Sequence, residues 1–277
     1  MRWTPGGKSR NIEDRRGSRM VSRGLPLGIG GMVILFVLSL ITGQDFISPL
    51  LQQGGGQVEQ VTEGPIEASP EEERRVSFVS FVLDDVQATW PKLLPQYREA
   101  MLVLFWGATG SACGTGQSAM GPFYCPADEK VYLDLEFFDQ LATRFGAPGE
   151  FAQAYVIAHE IGHHVQNLTG IERQVRQLQQ SRPDQANALS VLMELQADCF
   201  AGLWGHSTAR RNLLEPGEVE DGLRAAASIG DDAIQRQTSG RVRPESFTHG
   251  SAAQRVEWLR RGLQATRVQE CDTFNAR

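Results

Sequence analysis

The sequence predicts an α+β fold: a mainly helical domain with a small antiparallel sheet, preceded by one transmembrane helix. Three observations lead there. Apolar residues recur at steps of three and four through long stretches after residue 70, the mark of amphipathic helices. Two short apolar runs flank the turn-like Pro126-Ala127-Asp128-Glu129 and suggest a hairpin. Eighteen consecutive residues, Leu25 to Thr42, carry no charge.

From the N terminus, residues 1–24 hold seven basic side chains against Glu13 and Asp14, a net +5 in a chain whose total is −6. The uncharged run that follows reaches about 27 Å as a helix, near the lower limit for crossing the hydrocarbon core. A cleaved signal peptide is the rival reading, but its apolar region is normally shorter and no small-x-small site stands before Gln44. A buried core helix is disfavoured by Gly28, Gly30 and Gly31. The positive-inside rule then makes residues 1–24 a basic cytoplasmic segment and residues 25–42 a signal anchor in the inner or cell membrane. Everything beyond falls in the periplasm or cell exterior. Residues 43–70, with Gln52-Gln53-Gly54-Gly55-Gly56-Gln57, have too few apolar groups to bury and read as a flexible linker. Residues 71–277 form one domain without internal repeats.

Within that domain Ser69 is placed to cap a helix over Glu71 to Thr89, whose acidic first turn suits the helix dipole. Met101 to Trp106 reads as a buried strand, and Gly121 to Tyr124 with Val131 to Leu135 as the hairpin. A helix from Glu136 to Phe145 closes at Gly146. The strongest helical periodicity runs from Glu150 to Leu168, stopped by Thr169-Gly170. A glutamine-rich polar stretch, Glu172 to Asp184, is expected to intervene before a long helix from Gln185 to about Ala209. Later helices are expected over Pro216 to Ala227, with the proline in the first turn, and Ser251 to Ala265.

The acidic total gives no global attraction to nucleic acid, which excludes it as an expected partner. Cys113, Cys125, Cys199 and Cys271 all follow the apolar run, and an even count in an oxidising compartment suggests two disulfides. Three pairings can be drawn. Cys113 and Cys125 flank a Gly/Pro-rich stretch resembling one hairpin loop, which favours joining them and, by elimination, Cys199 with Cys271. A thiolate metal site is the alternative, yet no spacing is C-x-x-C.

The chemistry concentrates in His159-Glu160-Ile161-Gly162-His163-His164. Residues four apart lie on one face of a helix, so His159 and His163 can aim their imidazoles at one centre, a pair of neutral nitrogens that suits Zn²⁺. Glu160, on the adjacent row, can reach a water on the metal and act as general base. His164 points away and is expected to be structural. A catalytic zinc needs a third protein ligand and an open position. No histidine follows at short spacing. Glu194, in Glu194-Leu195-Gln196-Ala197-Asp198, is the best candidate. Asp198, one turn on, can accept the free N–H of a ligand histidine. His206, three turns beyond Glu194, is a weaker competitor.

The two histidines and Glu160 followed by Glu194 and Asp198 resemble the glutamate-ligand zincin metallopeptidases. Residues 11–17 (NIEDRRG), 111–128 (SACGTGQSAMGPFYCPAD), 131–135 (VYLDL), 159–166 (HEIGHHVQ), 194–202 (ELQADCFAG) and 247–255 (FTHGSAAQR) are similar to the bacterial neutral zinc metallopeptidase family with an N-terminal membrane anchor. The resemblance covers nearly the whole chain and implies a zincin-like domain that hydrolyses peptide bonds with one Zn²⁺. The long gap from His163 to Glu194 departs from thermolysin-like enzymes. By analogy with zincins, Val131 to Leu135 is either the cleft edge that pairs with an extended peptide or an ordinary core strand. His249 is either a donor to the tetrahedral oxyanion or part of a simple turn.

The expected partners are a peptide or protein substrate and a membrane; the sequence sets no oligomeric state. The rival function is a non-catalytic, membrane-anchored zinc module that binds a partner, which has no need of Glu160. A cytoplasmic protein with reduced cysteines is the third reading.

Overall fold

In the computed structural model, residues 1–19, 62–66, 68–117 and 121–275 are described. The expected anchor, Leu25 to Thr42, lies outside them. Among the described residues no helix is long and apolar enough to cross a membrane.

The main sheet has the order β1 (Ile12–Asp14), β4 (Met101–Phe105), β8 (Lys130–Asp134), β7 (Phe123–Cys125). Only β7 runs antiparallel to its neighbour; β1 and β8 both lie parallel to β4. The expectation of an antiparallel sheet is therefore corrected to a mixed one. The reason lies in the side chains: Leu102 to Phe105 and Val131 to Asp134 are buried without alternation, as in strands covered on both faces. The β7–β8 hairpin itself forms, with Tyr124 opposite Val131. A second hairpin, β5 (Ala108–Ser111) with β6 (Gly114–Gln117), was not expected.

The largest departure is at the N terminus, expected as a detached cytoplasmic segment across a membrane from the domain. Instead Ile12, Glu13 and Asp14 pair with Leu102, Val103 and Leu104. The basic side chains find acids within the fold: Arg16, 6 % exposed, forks onto Asp14 and reaches Glu73. Lys8 pairs with Asp14, Arg15 with Glu13, and Lys130 closes on Glu13 from β8. Trp3 meets Phe78 edge-on and Phe81 at a tilt. Strand β2 (Ser18–Arg19) then pairs antiparallel with β3 (Thr62–Glu63), so the far end of the expected 43–70 linker is held in a ladder too.

Helix α1 (Pro70–Thr89) starts as expected: Ser69 accepts the Glu72 N–H while the Glu72 carboxylate accepts the Ser69 N–H. It is followed by α2 (Glu136–Thr143), α3 (Glu150–Leu168), α4 (Ile171–Ser181), α5 (Ala186–Arg210), α6 (Glu218–Ser228), α7 (Asp231–Thr238) and α8 (Ala252–Gln264). Two of these are findings. α4 occupies the polar stretch expected to intervene between two helices; it hides little besides Val175, so its apolar signal is thin. α7 was not expected at all, and Pro216 lies ahead of its helix, which starts behind Gly217 at φ +90°.

Helix α5 packs against both α3 and α8. Gly162 of α3 faces Ala197 of α5 so closely that a Cβ there would stand 3.1 Å from the Ala197 Cα and O. Gly262 of α8 lies against the Cys199 carbonyl with no room for a side chain. Cys199–Cys271 fastens the C-terminal end to α5, and Cys113–Cys125 fastens the β5–β6 turn to β7, the two expected pairings.

Candidate metal centre

The α3–α5 crossing places the ligand candidates. His159 and His163 lie on either side of Gly162, and Glu194 and Asp198 on either side of Ala197, so close contact of the small residues brings the large ones together. The Nε2 atoms of His159 and His163 are 3.2 Å apart. Glu194 puts Oε2 3.2 Å from His159 Nε2 and Oε1 3.4 Å from His163 Nε2. One donor atom from each of the three lies within 4.8 Å of the others, and among the described residues no other such group occurs.

Each imidazole is oriented by a bond at its other nitrogen. His159 Nδ1 donates to Asp198 Oδ1 at 2.8 Å, the role expected of Asp198. His163 Nδ1 meets Gln166 Oε1 at 2.8 Å, and the Gln166 amide donates in turn to Met193 O on α5. Gln166 was not singled out from the sequence, although its position three residues after His163 on the same helix was the available signal. Both Nε2 atoms are left as acceptors facing one point with a carboxylate, a donor set of the kind that holds catalytic zinc.

The electrostatics follow. Burial opposes charge on His159, yet Asp198 and then Glu194 push it up to about 10. Burial likewise opposes charge on His163, and Glu194 raises it. Glu194, despite burial, is held well below the usual carboxylate range by His163 and His159. Glu160 differs: 7 % exposed, its carboxyl is raised by burial, with the two histidines pulling the other way. A carboxylate of raised basicity is what a general base near neutrality requires.

His164 is spent elsewhere, bonding Tyr124 Oη at 3.0 Å through Nδ1 and the Arg98 carbonyl at 2.8 Å through Nε2. His206 donates toward the Leu263 carbonyl and takes no part in the group. His249 sits on the turn after Phe247, its side chain 54 % exposed and Nδ1 3.3 Å from Asp231 Oδ1. Asp231 Oδ2 accepts the backbone N–H groups of Thr248, His249 and Gly250, so α7, the unexpected helix, fixes this turn. Partial desolvation opposes charge on His249, while Asp231 and then Glu194 raise its pKa.

The Val131 to Leu135 strand does not form a cleft edge: as β8 it is paired on both sides, and β7 is the edge strand beyond it. A cavity of about 410 Å³ opens beside His163 and Glu194, walled by Val175, Arg176 and Gln179 of α4 and by Met193 of α5.

A family model described as "Putative neutral zinc metallopeptidase" matches residues 1–274. The chain is 47 % identical over 285 residues to "Uncharacterized protein YpfJ" of Escherichia coli (strain K12), covering 99 % of each. It is also 47 % identical over 204 residues to "Uncharacterized protein Rv2575" of Mycobacterium tuberculosis (strain ATCC 25618 / H37Rv), covering 70 % of this chain and 68 % of that one. No solved structure matches.

Proposed function

We propose that this chain, which belongs to the neutral zinc metallopeptidase family, hydrolyses peptide bonds outside the cytoplasm with one zinc ion held by His159, His163 and Glu194. The observation that carries the reading is the convergence of three donors from two helices with a buried carboxylate, Glu160, in the same turn but outside the set. A zinc ion bound there supplies Lewis acidity toward a carbonyl and lowers the pKa of water.

The chain's own groups divide the remaining work. Asp198 and Gln166 hold the two rings in the tautomer that keeps Nε2 a free acceptor. Glu160 takes the proton of the attacking water and delivers it to the departing amine nitrogen. His249, on its pinned turn, donates a hydrogen bond to the oxyanion as the carbonyl becomes tetrahedral. An extended substrate lies along β7, an edge strand whose Tyr124 is tied to α3 through His164 and Asn167. One substrate side chain enters the cavity beneath α4. Two disulfides fit an oxidising compartment.

The three-donor group supports an enzyme over the rival non-catalytic module, for which a closed four-ligand site is expected. Glu160→Gln tests the assignment. It should retain stoichiometric zinc while peptide hydrolysis falls by about 10²–10⁴-fold. Cleavage at the parent rate would remove Glu160 from the mechanism.

A further inference from the structure

Arg255 of α8 is 3 % exposed, and nothing in the proposed chemistry gives it a task. Its guanidinium forks onto Asp198, Nε to Oδ2 at 2.9 Å and Nη2 to Oδ1 at 2.9 Å. Nη2 also donates to Tyr155 Oη at 3.2 Å, and Tyr155 donates to Asp198 Oδ1 at 2.5 Å. Asp198, wholly buried, thus serves four donor atoms on two oxygens, one of them His159 Nδ1. The carboxylate cannot turn about its Cβ–Cγ bond without breaking one arm of the fork.

A purely structural role is the rival, since Arg255 joins α8 to α5. Those helices are already held by the Gly262 contact, and the Cys199–Cys271 disulfide, next to Asp198 on α5, fastens the segment just beyond α8. The fork adds direction more than adhesion. Direction is what a hydrogen bond to a ligand imidazole needs.

We propose that Arg255 is a positioning residue for the metal: it fixes the plane of Asp198, which fixes the ring and tautomer of His159, so zinc affinity depends on a side chain that never touches zinc. The inference rests on the reading that His159, His163 and Glu194 hold that ion. Lysine keeps the charge but has no planar fork, so Arg255→Lys separates geometry from electrostatics.

The test is zinc affinity of the full chain, by competition with a chromophoric chelator, for the parent, R255K, D198N and the double variant. No substrate is involved. R255K and D198N should each weaken zinc by about 10–100-fold, and the double variant should match the worse single one, because both break one relay. The ¹⁵N shifts of zinc-loaded His159 should report an Nδ1–H ring in the parent and lose that signature in R255K. Zinc affinity in R255K within about twofold of the parent, or a double-variant effect equal to the product of the singles, would overturn the proposal. Should R255K not fold, R255Q takes its place, and unfolding of both would mark Arg255 as a staple and overturn it equally. A parent that binds no zinc defeats the metal reading itself; a parent that binds zinc but cleaves nothing defeats only the peptidase.

Discussion

Gly162→Ala probes the crossing on which the whole centre depends. The added methyl would sit 3.1 Å from the Ala197 Cα and O and 3.3 Å from its Cβ. Carbon atoms rest at about 3.5–4.0 Å, so α3 and α5 must part by roughly 0.5 Å. Two of the three contacts are backbone, which cannot swing aside. The helices carry His159 and His163 on one side and Glu194 on the other, now 3.2 and 3.4 Å apart. Metal–ligand distances tolerate only about 0.2 Å. Overpacking costs about 1–3 kcal/mol, against which alanine contributes up to about 1 kcal/mol of helix propensity. The net expectation is a stability loss of about 1 kcal/mol and a zinc affinity lower by about tenfold. Urea unfolding followed by tryptophan fluorescence and chelator competition read the two effects separately. A variant that unfolds at higher urea and binds zinc as tightly as the parent would refute the idea that this contact sets the ligand spacing.

Three further outcomes are expected. Removing Cys199–Cys271, which closes a separation of 72 residues, should cost about 4 kcal/mol by loop entropy, against about 3 kcal/mol for Cys113–Cys125 with its separation of 12; equal or reversed losses in urea would count against the entropic account. Burial raises the Asp14 carboxyl, but Arg16 and Lys8 bring it down to about 2. Its contribution is therefore complete above the unfolded value of 3.8, is lost as pH falls through about 2, and amounts to about 2 kcal/mol; Asp14→Asn should lose that at neutral pH and flatten the urea midpoint between about pH 4 and 2, and an unchanged profile would contradict it. Free zinc at a hundredfold excess over its Kd should stabilise the chain by about 2.7 kcal/mol in a thermal melt, and His163→Ala should abolish the gain.

Much of the centre was legible in the sequence because helix geometry is local. The four-residue spacing of His159 and His163 survives any tertiary arrangement, and Glu194 with Asp198 repeats the same step. What joins those two pairs is not local: Gly162 against Ala197 is a contact between helices, and neither residue announces its partner. Arg255 was missed for the same reason, since its partners Asp198 and Tyr155 lie on other helices, whereas Gln166 meets His163 within one helix and its spacing was the signal passed over. Helix α4 was missed because its exposed glutamines mask a stripe with Val175 as its buried member, and α7 because eight residues are too few for periodicity to emerge. The β1 strand was overlooked because the charges around it, read as a basic cytoplasmic segment, are neutralised mostly by its own Glu13 and Asp14, with Glu73 and Lys130 joining from the body of the fold.

Hydrogen-bonded strands stand about 4.8 Å apart, and the oily interior of a bilayer is about 30 Å deep. The ladders joining Ile12–Asp14 to Leu102–Leu104 and Ser18–Arg19 to Thr62–Glu63 hence oblige residues 1–19 to share a compartment with the metal centre. Arg19 and Thr62 are paired neighbours in the second ladder, so the two flanks of the intervening stretch stand side by side. An impermeant reagent applied from one side should reach Lys8 and Arg176 alike, or neither.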